Sequence, residues 1–190
     1  ISSSNTHRPN CFVWHCAQSI KDELYADKNK MCSNYLKYQT PKEKYTPAPK
    51  VYKPFYISHY GRHGSRYHYS ASDYAFFDKL FLSVDSAQAL TELGKSVGKR
   101  VHQLYVDAHQ RAGDLTQTGA KQHMEIAKRM VQSYPDVFKG NAKIDVKAST
   151  SGRCIMSMDA FCRQLQAMNP QLSITSAPLP AEGAMVGITI

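Results

Sequence analysis

The chain has 190 residues, enough for one substantial domain with a hydrophobic core and too few to require two. Its 42% hydrophobic and 21% charged composition is that of an ordinary globular protein, and no apolar run approaches the roughly eighteen residues of a membrane span. A net charge of +9 suits an anionic partner without choosing among nucleic acid, anionic lipid and polyphosphate, and a solvated lysine-rich surface accounts for most of it.

The first residue is Ile1, so the chain reads as a processed piece. Residues 11–19 resemble the tail of an export signal ending in small residues, which would put the protein in the periplasm or outside the cell. Their apolar core is short and their basic start is weak. The five cysteines, Cys11, Cys16, Cys32, Cys154 and Cys162, are irregularly spaced and form no CxxC pair, so a zinc site is not indicated. Buried free thiols are expected for Cys154 and Cys162.

Ser19 with Asp22 three residues later has the form of a helix start, and a short helix is expected to about Lys30. Residues 40–54 hold Pro41, Pro47, Pro49 and Pro54 with Lys42, Lys44, Lys50 and Lys53, the composition of an extended surface connector. Residues 1–50 are therefore read as an N-terminal helix and connector, and 51–190 as an α/β domain. A strand before Arg62 leads into a tyrosine-rich loop, then a short helix through Phe76, Phe77 and Leu80. A long helix over 86–112 follows, with Leu90, Leu93, Val97, Val101, Leu104, Tyr105 and Ala108 at helical spacing and Gly113 stopping it. Another starts near Thr116 or Thr118, with Ala120, Met124, Ala127 and Val131 on one face, and ends before Pro135. Residues 143–148 alternate as a half-buried strand does. A helix over 152–168 points Ile155, Met158, Phe161, Leu165 and Met168 inward, and residues 172–174 form a third strand. Strands separated by helices imply a parallel sheet flanked by helices.

Open parallel sheets bind ligands at the carboxyl ends of their strands. The first strand end delivers Arg62-His63-Gly64-Ser65-Arg66, and the second delivers Ser149-Thr150-Ser151-Gly152-Arg153 at a helix start that favours anions. If those strands are neighbours, Arg62, Arg66 and Arg153 surround one pocket. Three guanidiniums would hold the peripheral oxygens of a phosphoryl group while His63 attacks phosphorus in line. A lone histidine is usually a satisfied loop residue. Two arginines at fixed offsets, two glycines and a preceding strand argue otherwise here. Other candidates are weaker. His102, His109 and His123 have no carboxylate set with them in a ligand pattern and read as solvent-facing helix residues. Ser65 lacks the Gly-x-Ser-x-Gly setting of a serine hydrolase. The tyrosines at 52, 56, 60, 67, 69 and 74, with nearby lysines, mimic a nucleic-acid platform but are read as core and pocket wall.

Arg62-His63-Gly64-Ser65-Arg66 matches the RHGxR signature of the histidine acid phosphatases (histidine phosphatase superfamily, clade 2). Residues 114–119, Asp-Leu-Thr-Gln-Thr-Gly, resemble that family's LT-x-x-G segment, and 148–153 with Ser157 and Phe161 resemble its ST-x-x-x-R strand end and helix. The matches fall in the family's order over residues 50–175. The stretch from Ser58 to Arg66 is most similar to the multiple inositol polyphosphate phosphatases, bacterial phytases of that type included. The resemblance implies a phosphoglycerate mutase-like fold and a phosphohistidine formed on His63. It implies phosphate binding by Arg62, Arg66 and Arg153, no cofactor or metal, and a small anionic substrate such as phytate rather than nucleic acid. Neighbouring arginines should also keep His63 neutral for attack. Two departures stand out. His68 occupies a position where the family often has proline, and the family's downstream His-Asp or His-Ala-Glu proton donor has no counterpart in these residues. The donor is expected beyond Ile190, with the fold incomplete at its C-terminus. A broad acid phosphatase, a phosphoglycerate mutase-like phosphotransferase and a silent phosphate-binding module stay open as alternatives.

Overall fold

The computed structural model describes residues 20–42, 45–179 and 185–189, and divides the chain into a unit ending at Thr40 and a second beginning at Pro41. In the first unit, residues 20–26 are helical and Lys28–Tyr35 form a 3-10 helix. Asp27 ends the helix, its Oδ1 accepting from both the backbone (3.1 Å) and the side-chain nitrogen (3.0 Å) of Asn29. The expected cap at Ser19 and the export-signal residues 11–19 lie outside the described residues.

In the second unit residues 45–56 run exposed and without helix or strand towards β1 (Ser58–Arg62). The helices are α1 (Ala71–Ser86), α2 (Glu92–Ala108), α3 (Gln117–Ser133) and α4 (Gly152–Met168), with strands β2 (Lys143–Ser149), β3 (Ser173–Leu179) and β4 (Met185–Thr189). The four strands form one sheet in the order β1-β4-β2-β3. β2 and β3 are parallel, and β4 is antiparallel to both β1 and β2. The three strands read from sequence therefore run in one direction, with helices joining them. The fourth, which sequence reasoning missed, runs against them. β1 and β2 are consequently not neighbours but stand roughly 9–10 Å apart, on either side of β4. Their carboxyl ends still open at the same edge.

Alternation along β2 puts Ile144, Val146 and Ala148 on one buried face. Cys154, Met158, Phe161 and Leu165 of α4 pack onto it with Ala127 of α3 and with Val137 and Phe138 from a 3-10 turn after α3. Among the described residues no helix is long and apolar enough to cross a membrane.

Three expectations are corrected. The helix expected over 86–112 spans only Glu92–Ala108, because Gln88 takes φ 54° and Thr91 caps a new start, accepting from Gly94 N at 3.1 Å. Gln110, at φ 58°, leaves the helix before Gly113 is reached. The buried face of α3 is Gly119, Gln122, His123 and Ala127, rotated by one residue from the expected one, with Met124 left 38% exposed. Of the tyrosines read as core and pocket wall, Tyr67 is buried, whereas Tyr52, Tyr56, Tyr60 and Tyr69 are exposed and so do not belong to the core. Much of the outer apolar surface of α1 and α2 is likewise exposed, including Phe76, Phe77, Leu93 and Leu104.

Phe161 is fully buried at the centre of this core. Phe161→Ala should lower unfolding stability by about 3–5 kcal/mol, read from the denaturant midpoint; a loss below about 1 kcal/mol would show that the core does not close around it.

Candidate active site

The loop leaving β1 is pressed backbone to backbone against the first turn of α3. A Cβ on Gly64 would lie 2.4 Å from the Gly119 carbonyl oxygen, and one on Gly119 would lie 2.2 Å from that of Ser65. Neither position has room for a side chain. The Ser65 carbonyl accepts from the Thr116 backbone (2.9 Å) and hydroxyl (2.8 Å), and the same hydroxyl caps α3 by accepting from Gly119 N (3.1 Å). Arg66 then pairs antiparallel with Leu115, and Tyr67 N donates to the Asp114 carbonyl. The segment resembling LT-x-x-G is thus the seat of the RHGxR loop.

Side chains complete the hold. Gln122 accepts from Ser65 N (2.8 Å) and donates to Ser65 Oγ (3.0 Å), while His123 Nε2 lies 3.2 Å from the Arg62 carbonyl oxygen. From α4, Ser157 Oγ accepts from Gly64 N (3.1 Å) and donates to the Arg153 carbonyl (2.7 Å), tying the loop to the second strand end. The tyrosine loop is anchored through the Tyr67 hydroxyl, which donates to Asp107 at 2.7 Å under the Arg111 guanidinium. His68, where the family often has proline, donates its N–H to the Tyr74 hydroxyl at 2.8 Å, a bond proline cannot make.

His63 is half-buried and its Nδ1 lies 2.7 Å from the Gly64 carbonyl oxygen. A carbonyl only accepts, so in the neutral ring Nδ1 carries the proton and Nε2 the lone pair. Burial, the largest cause, pushes the His63 pKa down; the Gly64 bond opposes it, and the charges of Arg153, Arg62 and Arg66 lower it further. All three arginines singled out in the sequence therefore act on His63, though burial rather than their charge leads. Arg66 donates to the Tyr67 carbonyl (2.9 Å) and stacks on Tyr69 at 5.1 Å. Arg153 Nε and Ser149 Oγ, at the end of β2 and the start of α4, are buried without a hydrogen-bond partner. Ser151 makes no side-chain cap on α4. Unmet buried donors cost about 1–3 kcal/mol each, and a bound oxyanion would meet the one on Arg153. The arrangement places a neutral imidazole inside a cationic rim.

The remaining candidates sort differently. His102 is exposed and pairs with Asp78 at 2.9 Å, and His109 is exposed beyond α2. His123 is not solvent-facing but 2% exposed, buried beneath the loop. His59, which sequence reasoning passed over, stacks on Phe161 at 6.3 Å and influences His123. Only its place just before the signature hinted at it. Cys32, Cys154 and Cys162 are free thiols; Cys154 is buried, and burial pushes the half-buried Cys162 up to about 11. No group of three or more His, Cys, Asp or Glu among the described residues is placed to hold a metal.

Sheet topology, loop and rim together describe an α/β protein with a candidate anion site at its strand ends. The sequence profile of the histidine phosphatase superfamily (branch 2) matches residues 61–182, and the chain belongs to that family. No curated protein matches the sequence. Among solved structures, the fold is similar to the Bifidobacterium longum multiple inositol polyphosphate phosphatase in complex with inositol hexasulfate, with 22% identity and a TM-score of 0.55. The match covers 71% of this chain and 29% of that one, so the chain spans less than a third of that protein's length.

Burial lowers His123 from the ordinary 6.5 to about 4. The folded state then holds fewer protons than the unfolded state between those values. The contribution is whole above pH 6.5 and is lost as pH falls towards 4, by about 3 kcal/mol in total. Melting curves over that range should fall more steeply for the wild type than for His123→Gln; parallel curves would refute the buried neutral histidine.

Proposed function

We propose that the protein is a phosphomonoester hydrolase acting on inositol polyphosphates, with phytate as the favoured substrate, through a phosphohistidine on His63. The observation that carries this reading is the tautomer held by Gly64: the lone pair sits on Nε2, in a ring disposed to stay neutral among three guanidiniums. Arg62, Arg66 and Arg153 bind the phosphate and spread its charge as Nε2 attacks phosphorus. The P–O bond to the alcohol breaks, and the departing alkoxide takes a proton. Water then attacks the phosphohistidine, releasing phosphate and returning His63 to its neutral form.

An inositol alkoxide is a poor leaving group without a proton, and the acid that supplies it is assigned to residues beyond Ile190. The substrate class draws on the neighbour's complex with inositol hexasulfate, whose sulfates stand in for phosphates. It draws also on the net charge of +9 and on Lys42, Lys50 and Lys53, which are exposed on the connector. Lys44 lies outside the described residues. A chain exported to the periplasm or beyond would meet such a substrate directly.

The assignment of the acid has a sharp test. A p-nitrophenolate leaves without a proton, so this chain alone should transfer phosphate from p-nitrophenyl phosphate to His63 yet leave phytate nearly untouched. The polypeptide extended past Ile190 should hydrolyse both. Turnover of phytate by residues 1–190 alone would remove the missing-acid claim, and a preference of the extended protein for simple monoesters over phytate would favour the broad acid phosphatase.

His63→Ala should reduce turnover by about 10³-fold or more, and Arg153→Ala should lower kcat by about 10²–10³-fold. Calorimetric phosphate binding with no labelled His63 in any form of the protein would instead identify a silent binding module.

A further inference from the structure

Consecutive side chains of α3 hold the loop on both sides of His63. Gln122 bonds Ser65 on one side, and His123 bonds the Arg62 carbonyl on the other. Since that carbonyl can only accept, His123 Nε2 carries the ring proton and Nδ1 keeps the lone pair. Nδ1 is buried with no partner. Packing alone does not account for a histidine here, because an apolar side chain of similar size would fill the space without burying an unmet Nδ1. A second proton on the ring would bury a cation beside His59, His63 and Arg62 and add an N–H without an acceptor. The single bond to Arg62 is what the ring supplies.

We propose that His123 is a positioning residue for the His63 site, its Nε2–H fixing the Arg62 carbonyl at the point where β1 turns into the loop. From that one peptide unit the Arg62 guanidinium and the His63 imidazole both project. A shift there moves a phosphate ligand and the nucleophile together. The inference rests on the reading of His63, Arg62 and Arg153 as a phosphate site.

The test compares the wild type with His123→Leu, which keeps bulk and removes the donor, and His123→Gln, whose amide nitrogen lies as far along the side chain as Nε2. Inorganic phosphate affinity is measured by calorimetry, and His63 labelling by p-nitrophenyl phosphate in a single turnover. His123→Leu should bind and label about 10–100-fold more weakly without a lower melting temperature, and His123→Gln should return close to wild type. Equal behaviour of His123→Leu and the wild type overturns the proposal, as does a His123→Gln as impaired as His123→Leu. Should the leucine variant not fold, nitrogen-15 spectra of the wild type decide: a proton on Nε2 supports the bond to Arg62, and one on Nδ1 refutes it. A wild type that binds phosphate but never labels His63 defeats the hydrolase reading, while the affinity comparison still decides the role of His123. A wild type that binds no phosphate defeats both.

Discussion

The arrangement depends on a place where two stretches of backbone touch with nothing between them. Gly64 and Gly119 meet at distances that no Cβ could survive, and this contact lets the Ser65 carbonyl reach the cap of α3. Once the loop is seated there, its remaining polar groups find partners on α3 and α4 without reaching. Gln122, His123 and Ser157 each take one backbone group of a four-residue stretch. His63 therefore sits on a segment whose own conformation is largely decided by helices far away in sequence.

Electrostatics and burial act in the same direction on His63. Partial burial removes water that would stabilise an imidazolium, and the guanidiniums of Arg153, Arg62 and Arg66 oppose a further positive charge. The Gly64 carbonyl pulls the other way, because it bonds better to a charged ring, yet it also decides which nitrogen is bare. The same logic reaches His123, deeper and more strongly shifted, so two neutral imidazoles lie close beneath a cationic surface.

Much of this was legible in the sequence. The alternation of residues 143–148 and the spacing of 152–168 gave β2 and α4 nearly to the residue, because both bury a regular apolar face. Arg62, His63, Arg66 and Arg153 stood out through their positions at strand ends, and the structure gathers them. The face of α3 was misread because Gln122 and His123 are polar, and periodicity counts polar residues as solvent-facing. Their burial comes from bonds to a loop some sixty residues earlier, which no local pattern records. The helix break near residue 88 was missed because glutamine, not glycine or proline, adopts the left-handed turn. β4 escaped because Met185–Thr189 is short and lacks alternation, with Gly187 at its middle.

That last strand has a consequence for how the protein is made. β4 lies between β1 and β2, pairing Ser58 with Thr189 and Asp145 with the same Thr189. The two strand ends that carry His63 and Arg153 are brought to their final spacing by a segment that leaves the ribosome after both. Loop closure over so long a stretch is slow compared with helix formation. A nascent chain can build α4 and fill part of its core while the pocket edge is still open. Only when the residues around 185–189 emerge and insert does the sheet become continuous, so the strand ends that lead to His63 and Arg153 reach their final spacing after α4 has been made.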